Sequence, residues 1–158
     1  MVIRLEKCLA QFAKITNDQF GVDITNIKHG GAAGGTAAGA YAFLNAQLED
    51  GIESFLSIVN FEEAMQKADL VITGEGSIDI QTLHGKGPAG VAKKAKEKDL
   101  PVIAFAGRIQ GNPLVYRQLF DQVISISENE KSIETALLNT AKNLTKASKL
   151  LGDLLAQR

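Results

Sequence analysis

The residues best suited to chemistry lie in one stretch, residues 73–92, which reads TGEGSIDIQTLHGKGPAGVA. Gly74 and Gly76 carry no side chain, so their backbone N–H groups can approach a ligand closely. Glu75 and Asp79 supply carboxylates, which could hold Mg²⁺ or accept a proton from a hydroxyl group. Together with the donors that follow them, these residues indicate a phosphate site.

Hydrogen-bond donors follow the two carboxylates. Gln81 and Thr82 are neutral donors, and Lys86 is a cation. Pro88 suits the first turn of a helix, whose positive N-terminal end beside Lys86 favours an anion. His84 lies in the same stretch, where it could hydrogen-bond a substrate or simply pack.

Two well-known phosphate-binding motifs are excluded because required residues are missing. The dinucleotide fingerprint needs a third glycine where Asp79 stands, and the P-loop needs glycine at Ile80 and serine or threonine at Gly87. The residues alone therefore indicate a polar anion-binding loop. A tight turn with solvated carboxylates is the alternative that they leave open.

Hydrophobic periodicity predicts an α/β fold around this loop. Apolar runs predict strands at Leu70–Thr73, Val102–Ala106 and Val123–Ile126. Helices are predicted at Pro88–Lys98, Leu114–Leu119 and Ser132–Leu155. Two successive βαβ crossovers imply three adjacent parallel strands, in a Rossmann-like sheet with flanking helices. Ligands bind beyond the carboxyl ends of such strands, where the loops from Gly74 and at Gly107–Asn112 are expected.

The N-terminal part of the chain has a less regular pattern. Apolar residues between Ile3 and Phe20 predict an amphipathic helix that Gly21 ends, and a short strand could follow at Val22–Ile24. A loop of small residues then enters a helix, and another short helix begins at Phe61 after a break near Asn60. The regular alternation of strands and helices begins near Lys67.

Composition disfavours several classes of partner. The 17 basic and 18 acidic residues nearly cancel, which argues against nucleic acid and anionic membranes. The longest apolar runs are too short to cross a bilayer. Cys8 is the single cysteine and no leader precedes Met1, so we expect a soluble cytoplasmic protein.

A long motif in the chain resembles the signature of the bacterial glycerate kinase family. It consists of ADLVITGEG at Ala68–Gly76, followed by Asp79, Gln81-Thr82, Gly85-Lys86 and Gly90-Val91-Ala92. The segment GAAGG at Gly31–Gly35 is similar to a Gly-Ala-rich segment that the family carries upstream. The resemblance extends through PVIAFAG at Pro101–Gly107 and so covers nearly the whole chain.

The resemblance implies a longer enzyme, in which a Rossmann-like domain is interrupted by a second α/β domain. Residues 1–67 would end the inserted domain, and residues 68–158 would return to the Rossmann-like one. The implied reaction is phosphorylation of glycerate by ATP with Mg²⁺, and 2-phosphoglycerate is the expected product. Glycerate and ATP would be the small-molecule partners, and the protein could form a homodimer.

The matched motif also suggests a role for each polar residue. Asp79 is the expected base or Mg²⁺ ligand, Glu75 the second carboxylate and alternative Mg²⁺ ligand, and Lys86 the contact to the transferred phosphate. Substrate or phosphate contacts are expected from Gly74, Gly76, Gln81, Thr82, His84, Gly85 and Arg108. An upstream group of glycines could cradle an anion or allow close packing of a helix: Gly30, Gly31, Gly34 and Gly35.

Two positions depart from the family's pattern. His29 stands where proline is usual, and Ser77 stands where an arginine usually follows Gly-Glu-Gly. If that arginine binds an anion, Arg108 at the end of the next strand could take over its task. Two other interpretations stay open: a non-catalytic module that binds a nucleotide or small acid, and a structural fragment that completes its sheet by dimerising.

We expect residues 1–158 alone to be nearly inactive as a kinase, because the resemblance implies that the other wall of the cleft comes from the family's N-terminal half. Glycerate-dependent formation of ADP, measured with these residues alone, tests this expectation. Robust turnover by the isolated chain would contradict it.

Overall fold

A computed structural model describes residues 2–84 and 87–157, except for the side chain of His84. The chain divides into two compact units, one ending at Ser54 and the other beginning at Phe55. The predicted boundary near Lys67 concerns the domains of a longer protein and stays a prediction. No helix in the described ranges has the length and apolar character to cross a membrane.

The first unit is helical. It contains α1 (Val2–Phe20), a short 3₁₀ helix (Ala32–Gly35) and α2 (Thr36–Leu44). The predicted first helix is confirmed, and Gly21 follows it with a φ of +68°. The Phe43 ring packs against those of Phe12 and Phe20, with ring centroids 6.1 and 5.2 Å apart, and so joins α2 to α1.

The predicted strand at Val22–Ile24 is wrong. Residues 21–24 have no regular structure. The Asp23 carboxylate accepts a hydrogen bond from the Thr25 N–H at 2.8 Å, which turns the chain. A strand needs a hydrogen-bonded neighbour, and the described part of the chain provides none here.

Two short helices lead to the sheet, α3 (Gly51–Ile58) and α4 (Phe61–Met65). Asn60 separates them in a left-handed conformation, with a φ of +50°. Asparagine tolerates this conformation better than most residues because its side chain is short and polar. The predicted break near Asn60 and the helix starting at Phe61 are confirmed.

The second unit is built on a parallel three-stranded sheet with the order β1-β2-β3. The strands are β1 (Val71–Ile78), β2 (Val102–Ile109) and β3 (Gln122–Ser125). Their connections contain a 3₁₀ helix (Ile80–His84), α5 (Gly87–Lys96) and a second 3₁₀ helix (Pro113–Gln118). The predicted α/β class and strand order are therefore confirmed.

Both long strands extend further than predicted. The expected loop from Gly74 is wrong, because β1 continues through Gly74 and Gly76 to Ile78. A Cβ on Gly74 would lie 2.9 Å from the Phe105 carbonyl oxygen, and one on Gly107 would lie 2.5 Å from the Gly76 carbonyl oxygen. The glycines thus allow close pairing of the strands, and the loop expected from Gly107 begins only after Ile109.

The core lies on both faces of the sheet. On one face, Ala92 and Ala95 of α5 are fully buried in a cluster with Val102, Ala104 and Ala106 of β2. On the other, Ile103 and Phe105 pack with Leu151 of a C-terminal helix. Covering both faces explains why the residues of β2 form a nearly continuous apolar run.

The predicted helix at Ser132–Leu155 is broken into α6 (Ile133–Leu138) and α7 (Thr140–Leu155). Ser132 caps α6 through a hydrogen-bonded pair with Thr135. Asn139 lies at the break, where its side-chain amide donates to the Glu130 carboxylate at 3.0 Å. This bond ties the break to the loop that follows β3.

Replacing Asp121 with asparagine is expected to destabilise the chain by about 1 kcal/mol at neutral pH. The Asp121 carboxylate accepts hydrogen bonds from Lys96 Nζ at 2.6 Å and from the Val102 N–H at 2.7 Å, which join α5, β2 and the start of β3. Hydrogen bonds to charged groups contribute about 1.5–3 kcal/mol to stability. The expected loss of about 1 kcal/mol is smaller because the Lys96–Asp121 pair is partly exposed to solvent. Denaturant unfolding measures the difference.

The pH dependence of that difference tests its cause. The hydrogen bond from Lys96, and to a smaller extent the one from the Val102 N–H, lowers the pKa of the Asp121 carboxyl below its ordinary value of 3.8. A lowered pKa stabilises the folded state above the ordinary value, and this stabilisation is lost as the pH falls through the folded pKa. The free energies of unfolding of the wild type and Asp121→Asn should therefore become equal in strong acid.

Asp153→Asn, an exposed change on α7, is the control. It should change the free energy of unfolding by less than about 0.5 kcal/mol.

Replacing Gly107 with alanine is expected to destabilise the chain by about 1–3 kcal/mol, because the new Cβ would overlap the backbone of β1. Gly152→Ala on α7 is the matched control, since a Cβ there meets no atom within 4 Å. That change should be neutral or stabilising by up to about 1 kcal/mol. Equal stabilities of the two variants in a urea titration would contradict the role given to Gly107.

Candidate active site

A groove of about 1240 Å³ runs along the carboxyl-terminal parts of the strands, between the sheet and helices α6 and α7. Five residues proposed from the sequence lie together along it: Gly74, Glu75, Gly76, Asp79 and Arg108. The groove also has an apolar wall, formed in part by Ile72, Phe105 and Leu144. It lies at the edge of the sheet where parallel α/β proteins usually bind ligands.

Glu75 lies within β1, opposite Ala106 of β2, and is half-buried. Its Oε1 accepts a hydrogen bond of 2.6 Å from the Thr82 hydroxyl. Thr82 is fully buried in the 3₁₀ helix that follows the strand. The carboxylate of Glu75 is therefore held by a side chain that is itself enclosed in the fold.

Asp79 stands at the end of β1, where the chain turns into the 3₁₀ helix. Its Oδ1 accepts a hydrogen bond from the Gln81 N–H at 2.8 Å, and its carbonyl oxygen accepts one from the Thr82 N–H at 3.0 Å. Asp79 thus caps the start of the 3₁₀ helix through one carboxylate oxygen. An ionised carboxylate can accept several hydrogen bonds, because its two oxygens carry about four lone-pair sites.

Arg108 and Ser77 are direct neighbours across β1 and β2. Arg108 is exposed, and no carboxylate within residues 2–84 and 87–157 forms an ion pair with it. The Ser77 hydroxyl accepts a hydrogen bond from the Gln110 side-chain amide at 2.9 Å. Arg108 is therefore the strand neighbour of Ser77, the position where the resemblance implies an arginine.

The upstream glycines lie in the first unit, around the 3₁₀ helix at Ala32–Gly35. A Cβ on Gly30 would lie 2.5 Å from Ile27 Cγ1, and one on Gly35 would lie 2.8 Å from Leu9 Cδ2. These contacts support the packing alternative for Gly30 and Gly35. Nothing lies within 4 Å of a Cβ on Gly31 or Gly34, so the anion cradle stays a prediction for those two.

Several predicted site residues lie outside the described residues. They are Gly85, Lys86 and the side chain of His84. Helix α5 begins directly after them at Gly87, with Pro88 in its first turn as predicted.

The carboxylates in the groove fit a magnesium ion by donor type. Across the described ranges, no three His, Cys, Asp or Glu side chains group together as metal ligands. Mg²⁺ is commonly bound through one or two carboxylates, with water and substrate phosphates completing its shell. Glu75 and Asp79, both on the groove, provide such oxygen atoms.

Sequence reasoning missed a group of polar residues at the end of β3 that also lines the groove. They are Ser125, Ser127, Glu128 and Glu130. Hydrogen bonds from the side-chain amides of Asn143 and Asn139 hold the pKa of the Glu130 carboxyl below its ordinary range. The signal that could have found these residues is their position after β3, since the carboxyl ends of parallel strands share one edge of the sheet.

Comparison with known proteins gives a consistent result. The model of the glycerate kinase family matches residues 1–156. A glycerate kinase from Halalkalibacterium halodurans is 44% identical over 134 residues, which are 84% of this chain and 35% of that protein. A glycerate 2-kinase from Escherichia coli K12 is 36% identical over 157 residues, which are 99% of this chain and 41% of that protein.

A solved structure matches as well. A crystal structure from Salmonella typhimurium LT2, assigned as glycerate kinase 2, is similar with a TM-score of 0.71 and 38% identity. The match covers 99% of this chain and 40% of that one. The chain thus spans about two fifths of the length of the relatives it matches.

Proposed function

The chain belongs to the glycerate kinase family, and from this premise we propose that the whole protein phosphorylates glycerate with ATP to give 2-phosphoglycerate. The observation that carries the proposal is the groove, which Glu75, Asp79 and Arg108 all line at the carboxyl ends of the strands. The relative from Escherichia coli, a glycerate 2-kinase, supports the choice of product. A cytoplasmic location and a homodimer both stay predictions.

Asp79 would act as the base. In the proposed step, a glycerate hydroxyl oxygen forms a bond to the γ-phosphorus of ATP, the bond to the ADP oxygen breaks, and the hydroxyl proton passes to the Asp79 carboxylate. Phosphoryl transfer needs little covalent chemistry from the protein beyond positioning and neutralisation of charge. A carboxylate anchored at one oxygen by the Gln81 N–H is suited to that task because its direction is fixed.

Cations would neutralise the acid and the transferred phosphate. Arg108 would pair with the glycerate carboxylate, because it is an exposed cationic residue that lines the groove. Lys86, with Gly85 and Gln81, would contact the phosphates near the start of α5. With Asp79 as the base, Glu75 is the carboxylate that would hold Mg²⁺, which when bound offsets the negative charge of the phosphates.

Replacing Asp79 with asparagine in the whole protein is expected to lower kcat by about 10²–10⁴-fold, because the amide cannot accept the proton. Asparagine keeps a side-chain oxygen for the Gln81 N–H, so the fold should survive the change. A coupled assay of glycerate-dependent ADP formation measures the effect.

Glu97→Gln is the matched control, since Glu97 forms an exposed contact with Lys94 and does not line the groove. Its kcat should equal that of the wild type. Unchanged turnover in Asp79→Asn would remove Asp79 from the mechanism. Calorimetric binding of ATP–Mg²⁺ and glycerate without turnover in the whole wild-type protein would favour the binding module instead.

A further inference from the structure

The Thr82 hydroxyl is enclosed between the two residues that bring carboxylates to the groove. Thr82 is 0% exposed, and its Oγ1 donates to Glu75 Oε1 at 2.6 Å while accepting from the Asp79 N–H at 3.2 Å. A threonine hydroxyl has a single proton to donate. With that proton committed to Glu75 and no exposed surface, Thr82 is poorly placed to contact a substrate directly.

We propose that Thr82 is a positioning residue, which fixes the orientation of the Glu75 carboxylate for phosphoryl transfer. The inference rests on the proposed function above. A hydroxyl donating to a carboxylate over this distance forms a short, charge-assisted bond. Without that donor, the glutamate side chain gains rotamers, and its carboxylate spends less time in the productive orientation.

The backbone holds the hydroxyl in place. The Thr82 N–H donates to the Asp79 carbonyl oxygen at 3.0 Å, and the neighbouring Gln81 N–H donates to Asp79 Oδ1 at 2.8 Å. The turn after β1 therefore keeps Thr82 close to the strand that carries Glu75. A carboxylate supported in this way is fixed before the substrate binds, which is the arrangement that efficient transfer requires.

The experiment uses the whole protein and a double-mutant cycle. The variants are Thr82→Val, Thr82→Ser, Glu75→Gln and the double variant T82V/E75Q. For each, kcat and the KM for glycerate are measured at saturating ATP, and a thermal melt reports the folded fraction at the assay temperature.

Four results are expected. Thr82→Val should lower kcat by about 10–100-fold, the size of loss that a misplaced group causes. Thr82→Ser retains the donor and should stay within about threefold of wild type. The KM for glycerate should change less than kcat, because Thr82 does not contact it. In the Glu75→Gln background, Thr82→Val should lower kcat by less than about threefold, because Thr82 acts through Glu75.

Losses that multiply in the double variant, or a wild-type kcat in Thr82→Val, would overturn the proposal. Should Thr82→Val melt below the assay temperature, Thr82→Ala replaces it with the same expectations. Absence of glycerate-dependent turnover in the wild type would overturn the proposed function, and the role of Thr82 in that reaction with it. An active wild type with an unaffected Thr82→Val would overturn the role of Thr82 alone.

Discussion

The close pairing of β1 with β2 at their glycines is the constraint on which the site depends. Side chains at Gly74 and Gly107 would collide with the opposite backbone, so the observed pairing requires residues without a Cβ at these two positions. This pairing keeps β1 extended as far as Ile78, which is fully buried in the core. Glu75 is therefore held in a paired strand and Asp79 directly after it, on elements more rigid than a free loop.

The two ends of the sheet are organised for different tasks. At the start of β2 and β3, the Asp121 carboxylate joins α5, β2 and β3 by accepting hydrogen bonds from Lys96 and the Val102 N–H. At the opposite end, the Glu75 carboxylate accepts a hydrogen bond from the Thr82 hydroxyl and the Asp79 carboxylate accepts one from the Gln81 N–H, and both residues line a groove. The charged groups of the first end serve stability, and those of the second belong to the proposed site.

The order of the strands could be predicted from the sequence because buried parallel strands read as apolar runs separated by helical periodicity. The lengths of β1 and β2 could not be predicted from the sequence, because glycine is usually depleted in strands. The glycines are needed here because the backbone of the neighbouring strand, which is distant in the sequence, lies so close. The break at Asn139 depends on its bond to Glu130, and spacing along a helix does not reveal such a contact.

Part of the candidate site could also be predicted from the sequence. The stretch with Glu75 and Asp79 could be found from its residue types, and their place on one groove agrees with the rule for strand ends. The burial of Thr82 could not be inferred, because threonine is mostly exposed in folded proteins. Ser127 and Glu128 belong to the third strand's end, which has no comparable run of polar and glycine residues to mark it.

The location of Glu75 inside a pleated strand restricts how this region can change over evolution. Side chains alternate between the two faces of a strand, so inserting or deleting one residue between Val71 and Glu75 would turn the carboxylate to the opposite face. The loop after Ile109 carries no such alternation and can vary in length more freely. Substitutions in β1 can be accommodated one at a time, whereas changes in its length would move the carboxylate away from Thr82.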